Sequence, residues 1–163
     1  MNRTETLVYL PVVVQHAFMT ACLSRAIDYC RSSLNAKTRE CLERILEIAW
    51  DHIQHGGSDT PERKQLHQQI ERIGIRNAPE RAGKSELYNC ANAATFVLGV
   101  IANPANIQYA STSLHVVPNI IRALHGNAED IVAAEVVWQE ATLLRLQTIA
   151  GTPDRSWFVQ NDT

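Results

Sequence analysis

The fold is decided by residues 85–150, which read SELYNCANAATFVLGVIANPANIQYASTSLHVVPNIIRALHGNAEDIVAAEVVWQEATLLRLQTIA. Small and aliphatic side chains fill this stretch, and polar groups are scattered through it singly. Its first part repeats apolar residues at steps of four and three, the spacing of one helical face: Leu87, Ala91, Ala94, Leu98 and Ile101. A second apolar face on the same segment predicts that this helix, the fourth of the chain, lies at the centre of a bundle.

Proline and glycine divide the rest of the stretch into two further helices. Asn103 and Pro104 predict the start of the fifth helix, because asparagine caps helices and proline suits a first helical position. Pro118 interrupts the apolar rhythm of this helix, and we expect a kink or short break there because proline removes one backbone hydrogen bond. A turn around Gly126 leads into a sixth helix, predicted over residues 128–150.

The N-terminal half predicts three amphipathic helices that pack around this centre. The first is expected over residues 11–31, the second over residues 36–54, and the third from the cap Thr60 onward. Residues 7–14 have the composition of a strand, but the chain offers no second strand to satisfy its backbone groups. The first half is therefore also predicted to be helical.

The expected fold is an all-α, single-domain bundle of about six helices over residues 1–163, with helix 4 central and helix 5 kinked near Pro118. The length of 163 residues fits one domain. The formal net charge of −2 gives no electrostatic case for a nucleic-acid partner. No apolar run approaches the roughly 20 residues that a bilayer requires, and no signal-peptide pattern begins the chain. We expect no membrane partner and a cytoplasmic location.

The four cysteines are expected to be reduced thiols in the core. No two of them have CxxC spacing, and most fall on predicted apolar helix faces: Cys22, Cys30, Cys41 and Cys90. A disulfide framework is the alternative, but a chain of this length builds a core without one.

Two motifs were tested for a phosphate or metal site. Gly83-Lys84-Ser85 matches the end of a P-loop, but Ala78 stands where that motif needs a glycine, and no strand precedes it. His52 and His55 lie three apart near the end of helix 2, but no accompanying residues complete a zinc module. Because histidines near a helix C-terminus also complement its dipole, we predict no metal and no cofactor.

The sixth helix carries several acids that require an interpretation. A di-iron bundle would need the pattern Glu-x-x-His, which does not occur there. We expect solvated ion pairs instead, for Glu129, Asp130, Glu135 and Glu140. Ser111, Ser113 and Cys90 lie within helices and lack the strand–turn–helix elbow of a nucleophile. No catalytic residue is predicted.

Four short features are shared with a group of small helical proteins. They are ACLSR at residues 21–25, Trp50 closing helix 2, the alanine-rich residues 90–94, and EVVWQ at residues 135–139. In these features, over about residues 16–148, the chain resembles small all-helical bacterial immunity proteins of polymorphic and contact-dependent toxin systems, and related uncharacterised helical families. The resemblance implies a non-enzymatic role, in which the protein binds a cognate toxin and blocks its active site or its activation.

The first functional hypothesis is therefore an immunity-type protein that neutralises a cognate toxin by occluding it. Loops on a rigid scaffold commonly carry recognition, so the charged loop between helices 3 and 4 supplies the candidate contacts: Arg76, Glu80, Arg81 and Lys84. An ordinary solvated connection is the alternative interpretation of this loop.

Two other classes of function stay open at this point. One is a small helical enzyme or ligand-binding protein with a pocket among helices 4–6, where four polar side chains would converge: Asn89, Asn92, His115 and Glu135. The other is a structural or adaptor module that self-associates through its apolar helices.

Overall fold

Eight α-helices and no strand make up the part of the chain that the computed structural model describes, residues 2–81 and 85–160. The helices are α1 (Arg3–Val8), α2 (Val12–Cys30), α3 (Ala36–His55), α4 (Pro61–Arg76), α5 (Ser85–Ala102), α6 (Ser113–His125), α7 (Glu129–Leu146) and α8 (Arg155–Gln160). Short 3₁₀ segments occupy Arg31–Ser33, Pro79–Arg81 and Pro104–Thr112. The all-α class is confirmed, whereas the predicted count of about six helices is too low.

The two helices missing from the prediction are the short ones, α1 and α8. In α1, the Asn2 side chain accepts from the Glu5 backbone N–H at 2.9 Å, and the Glu5 carboxylate accepts from the Asn2 N–H at 3.2 Å. This reciprocal capping box satisfies two backbone donors in a helix of one and a half turns. In α8, Asp154 accepts from the Trp157 backbone N–H at 2.9 Å. Local caps thus build helices too short for periodicity to reveal.

The centre of the bundle is shared by α5 and α2. The helix α5, the fourth predicted helix, packs against α2, α3, α4, α6 and the 3₁₀ segment Pro104–Thr112. Most residues of α2 are buried as well. The buried apolar side chains form one continuous core that includes all four cysteines, none of which is in a disulfide.

The predicted fifth helix is wrong in its internal boundary. Its first part, Pro104–Thr112, is a 3₁₀ helix, and the α-helical part begins at Ser113, so the break precedes Pro118. Asn106 donates from Nδ2 to the Gly99 carbonyl at 2.8 Å, which fixes the segment against the end of α5. Residues three apart share one side of a 3₁₀ helix, and this period places Ala110 fully in the core.

Pro118 lies inside α6 because another side chain replaces the hydrogen bond that it removes. Without an N–H at Pro118, the Leu114 carbonyl loses its helical donor. The fully buried Gln139 of α7 donates from Nε2 to that carbonyl at 3.2 Å. The Gln139 Oε1 accepts in turn from Nη1 of Arg3 in α1. The proline therefore helps to link α6, α7 and α1.

This link predicts a coupling between Gln139 and Pro118. Gln139→Leu leaves the Leu114 carbonyl without a donor and should lower the free energy of unfolding by about 1–3 kcal/mol. In a Pro118→Ala background, the new N–H bonds that carbonyl, and the same substitution should cost about 1 kcal/mol less. Urea unfolding of the two single variants and the double variant measures the coupling. Strict additivity of the two substitutions would contradict this interpretation.

Candidate functional site

A cleft lined by aromatic and arginine side chains lies where α2, α3, α7 and α8 meet. Its volume is about 250 Å³. The charged and aromatic groups on its walls come from positions far apart in the sequence. We call it the tryptophan cleft and define it by six of its lining residues: Arg25, Arg31, Trp50, Trp138, Arg155 and Phe158.

One wall of the tryptophan cleft is held by an ion pair between α2 and α7. Arg25 donates from Nε to both carboxylate oxygens of Glu135, at 3.2 and 3.0 Å, and from Nη2 to Oε2 at 2.7 Å. The Glu135 side chain has no exposed surface, whereas that of Arg25 is 23% exposed. Because several donors meet one buried carboxylate, the guanidinium is held in a single orientation.

The same guanidinium also stacks on an aromatic ring. Cζ of Arg25 lies 3.9 Å from the ring centroid of Trp138, a cation–π contact. The other neighbour of that ring is Phe18 of the core, at a centroid distance of 6.2 Å and an interplanar angle of 17°. The half-buried indole ring of Trp138 therefore lies between Phe18 of the core and the guanidinium of Arg25.

Trp50 and the C-terminal segment also line the cleft. The ring centroid of Phe158 lies 5.6 Å from that of Trp50 and Phe158 is buried, so the tail packs on the bundle. Gln54 supports this docking, because its Nε2 donates to the Pro153 carbonyl at 3.0 Å. The tail thus contributes a wall to the cleft.

Two tryptophans that line this cleft have an indole N–H without an acceptor among the residues that the structure describes. These groups are Nε1 of Trp50 and Nε1 of Trp138, and both atoms are buried. Buried donors without a partner are rare in folded proteins. Both of these residues line the same cleft, which distinguishes this site from the rest of the described bundle.

The rim of the cleft carries charges of both signs. Arg31 pairs with Asp28 at 2.7 Å in an exposed contact, and the exposed Arg155 of α8 also lines the cleft. Glu43 lines the cleft as a half-buried carboxylate. The cleft therefore offers guanidinium donors beside aromatic surface, a combination suited to carboxylates and aromatic groups.

The loop predicted as a contact surface lies elsewhere. Arg76 is exposed at the end of α4, and Glu80 is exposed in the 3₁₀ turn Pro79–Arg81. Lys84 lies outside the described residues, as does Gly83 of the sequence Gly83-Lys84-Ser85. The loop begins beside a cavity of about 350 Å³ between α4 and α5, which Glu80 and Asn92 border.

The four polar residues proposed for a pocket among helices 4–6 have separate surroundings. Asn89 donates from Nδ2 to the Ser85 carbonyl of its own helix at 2.8 Å, and Asn92 borders the cavity between α4 and α5. His115 is exposed on α6, and Glu135 pairs with Arg25. The expectation that the acids of this helix form solvated ion pairs is wrong for Glu135, because its side chain points into the core.

The two histidines tested for metal binding do not act together. His55 is exposed and contacts Asp51 at 3.1 Å. His52 lies edge-on against His16, at a centroid distance of 5.9 Å. His16 is buried, and its Nε2 lies 3.0 Å from the Val97 carbonyl. Burial, opposed by this hydrogen bond, lowers the pKa of His16 from 6.5 to about 4, so the ring is neutral at pH 7.

Cys22, whose thiol is influenced by the charges of Glu135 and Arg25, is not reactive at neutral pH. Burial and the negative charge of Glu135 raise the pKa of Cys22 far above its usual value. Burial also raises the pKa of Cys41, to about 11. Because the thiolate is the nucleophilic form, both cysteines remain protonated thiols at neutral pH.

Comparison of the chain with protein-family models, curated proteins and solved structures finds no match. Within the described ranges, no three histidine, cysteine or acidic side chains are grouped as metal ligands would be. No described helix combines the length and the apolar character that crossing a bilayer requires.

Proposed function

We propose that the protein acts by binding another protein, a cognate toxin that it neutralises by occlusion. The observation that carries this proposal is the arrangement of Arg25, which is held by Glu135 and stacked on Trp138 at the tryptophan cleft. Tryptophan and arginine are the side chains most enriched in binding hot spots. A side chain that is already ordered loses less entropy when a partner binds.

The size of the cleft favours a protein partner over a small ligand. Its volume of about 250 Å³ lies just below the roughly 300–1,000 Å³ of typical ligand pockets. A space of this size accepts one or two side chains of a larger partner. Contacts around the rim, including Arg31 and Arg155, would then extend the interface.

The resemblance to immunity proteins gains support from where its residues lie. Arg25 ends the ACLSR stretch, Trp50 lies in the C-terminal part of α3, and Glu135 and Trp138 belong to EVVWQ. These features are far apart in sequence, yet these four residues lie at one site. We therefore favour the cleft as the principal contact surface and keep the loop at Arg76, Glu80, Arg81 and Lys84 as the second candidate.

The test uses the protein encoded beside the gene of this chain, purified as an inactive variant. Isothermal titration should show saturable binding, and the tryptophan fluorescence of the chain should change because Trp50 and Trp138 line the cleft. Arg155→Glu should raise the dissociation constant at least about tenfold, which is the effect of removing a hot-spot contact. Arg76→Glu, an equal charge reversal at an exposed residue of the loop, should leave the dissociation constant unchanged.

The other outcomes separate the parts of the proposal. If only Arg76→Glu weakens binding, the loop is the contact surface and the assignment to the cleft is wrong. If the neighbouring protein does not bind at all, the toxin-neutralising function is wrong. Circular dichroism of both variants controls for changes in folding.

A further inference from the structure

The solvent-facing side of α7 is almost without charge. Between residues 133 and 144, the positions away from the buried side hold a single ionisable residue, Glu140, and five apolar ones, of which Ala141 is half-buried and the others are exposed: Ala133, Ala134, Val137, Ala141 and Leu144. Val137 is 63% exposed and Leu144 is 66% exposed. A surface helix normally places polar and charged residues on its outer side. We call these six residues the α7 outer face.

We propose that the α7 outer face binds a second copy of this chain, with the two α7 helices antiparallel across a two-fold axis. A two-fold interface requires a surface that is complementary to itself. Both the sizes and the charges of the residues along α7 meet that requirement in the antiparallel orientation.

The size complementarity follows from the order of large and small residues along the helix. With the axis midway between residues 137 and 141, Val137 faces Ala141 of the second copy. In the same register, Leu144 faces Ala134 of the second copy. Each large side chain thus meets a small one, which allows the two helices to approach closely along about three turns.

The charges at the ends of α7 also favour the antiparallel orientation. The first turn carries Glu129 and Asp130, and the last turn carries Arg145. The proposed register places Arg145 of one copy opposite residue 133 of the other, one turn from Asp130. A parallel pair would bring like charges together at both ends, and antiparallel helix dipoles also attract.

Glu140 limits the strength of this contact. It lies beside the proposed axis, so the carboxylates of the two copies approach each other at one edge of the interface. One pair of short helices also falls at the small end of interface sizes. The dimer should therefore be weak, and neutralising Glu140 should strengthen it.

Sedimentation equilibrium of the full chain tests the proposal. Wild-type protein should change from monomer to dimer between about 10 µM and 1 mM, the range of weak complexes. Val137→Glu should make the chain monomeric over this range, because the charge would be buried without a partner. Ile75→Glu, at an exposed apolar residue of α4, is the matched control and should dimerise as wild type. Glu140→Gln should lower the dissociation constant.

A cysteine pair tests the orientation independently of the equilibrium. Ala134→Cys combined with Leu144→Cys should give covalent dimers on mild oxidation, because the two positions face each other across the interface. A wild-type chain that stays monomeric at the highest concentration overturns the proposal. A folded Val137→Glu variant that dimerises as wild type also overturns it. If Val137→Glu does not fold, Leu144→Glu replaces it in this test. Dimerisation does not depend on the proposed toxin binding. Arg155→Glu, which should weaken toxin binding, should therefore leave dimerisation unchanged.

Discussion

Arg25→Met should lower the free energy of unfolding by about 3–5 kcal/mol, because it leaves the Glu135 carboxylate buried without its cation. The Glu135 side chain has no exposed surface in the native fold, so the carboxylate depends on Arg25 and not on bulk water for its stabilisation. The substitution also removes the stack on Trp138. Chemical denaturation at pH 7 measures the effect.

Two further variants show whether burial of the ion pair causes the large loss of stability expected for Arg25→Met. Arg44→Met removes a guanidinium that contacts Glu47 and Glu62, each at 2.7 Å, but these residues are exposed. That variant should lose about 1 kcal/mol or less. Glu135→Gln should cost less than Arg25→Met, because Arg25 is partly exposed and can be hydrated. Equal losses for Arg25→Met and Arg44→Met would show that burial of the pair does not determine its contribution.

The stability of the protein should also fall as the pH drops from about 6.5 to about 4, by roughly 3 kcal/mol. The cause is His16, whose pKa is about 4 in the folded chain and 6.5 when exposed. In this range the unfolded chain binds a proton at His16 that the folded chain does not bind. Acid therefore favours unfolding, and the contribution of His16 is complete above pH 6.5.

Urea unfolding at a series of pH values measures this dependence. His16→Gln retains a side-chain donor for the Val97 carbonyl but does not titrate, so its stability should change much less between pH 6.5 and 4. His115→Gln, at an exposed position, should keep the wild-type dependence. A wild-type stability that is constant across this interval would contradict the burial of a neutral His16.

The helices were predictable wherever a long apolar face repeated. The predicted ranges 11–31 and 36–54 lie within one residue of the bounds of α2 and α3. In contrast, the switch from 3₁₀ to α-helix at Ser113 leaves apolar residues at steps of three and four on both sides. Periodicity does not distinguish such a switch from a continuous helix.

The site was less predictable, because its geometry depends on contacts between distant residues. Arg25 and Glu135 are 110 positions apart, and no local pattern pairs them. One signal was nevertheless present. Glu135 and Gln139 stand at helical spacing between Val132 and Leu143, and all four are buried. Polar residues on the inner face of a helix must find polar partners in the core.

The hydrogen bond between Arg3 and Gln139 joins residues that are 136 positions apart. During synthesis, α1 therefore cannot dock in its native position until α7 has been made. A helix as short as α1 is not stable alone, and its partners are α7 and the segment Pro104–Thr112. At about 5–20 residues per second, α1 waits roughly 7–30 seconds during synthesis until α7 is complete. Until then we expect Leu7, which is fully buried in the native chain, to be exposed. Docking of α1 is therefore one of the last steps in the folding of a newly made chain.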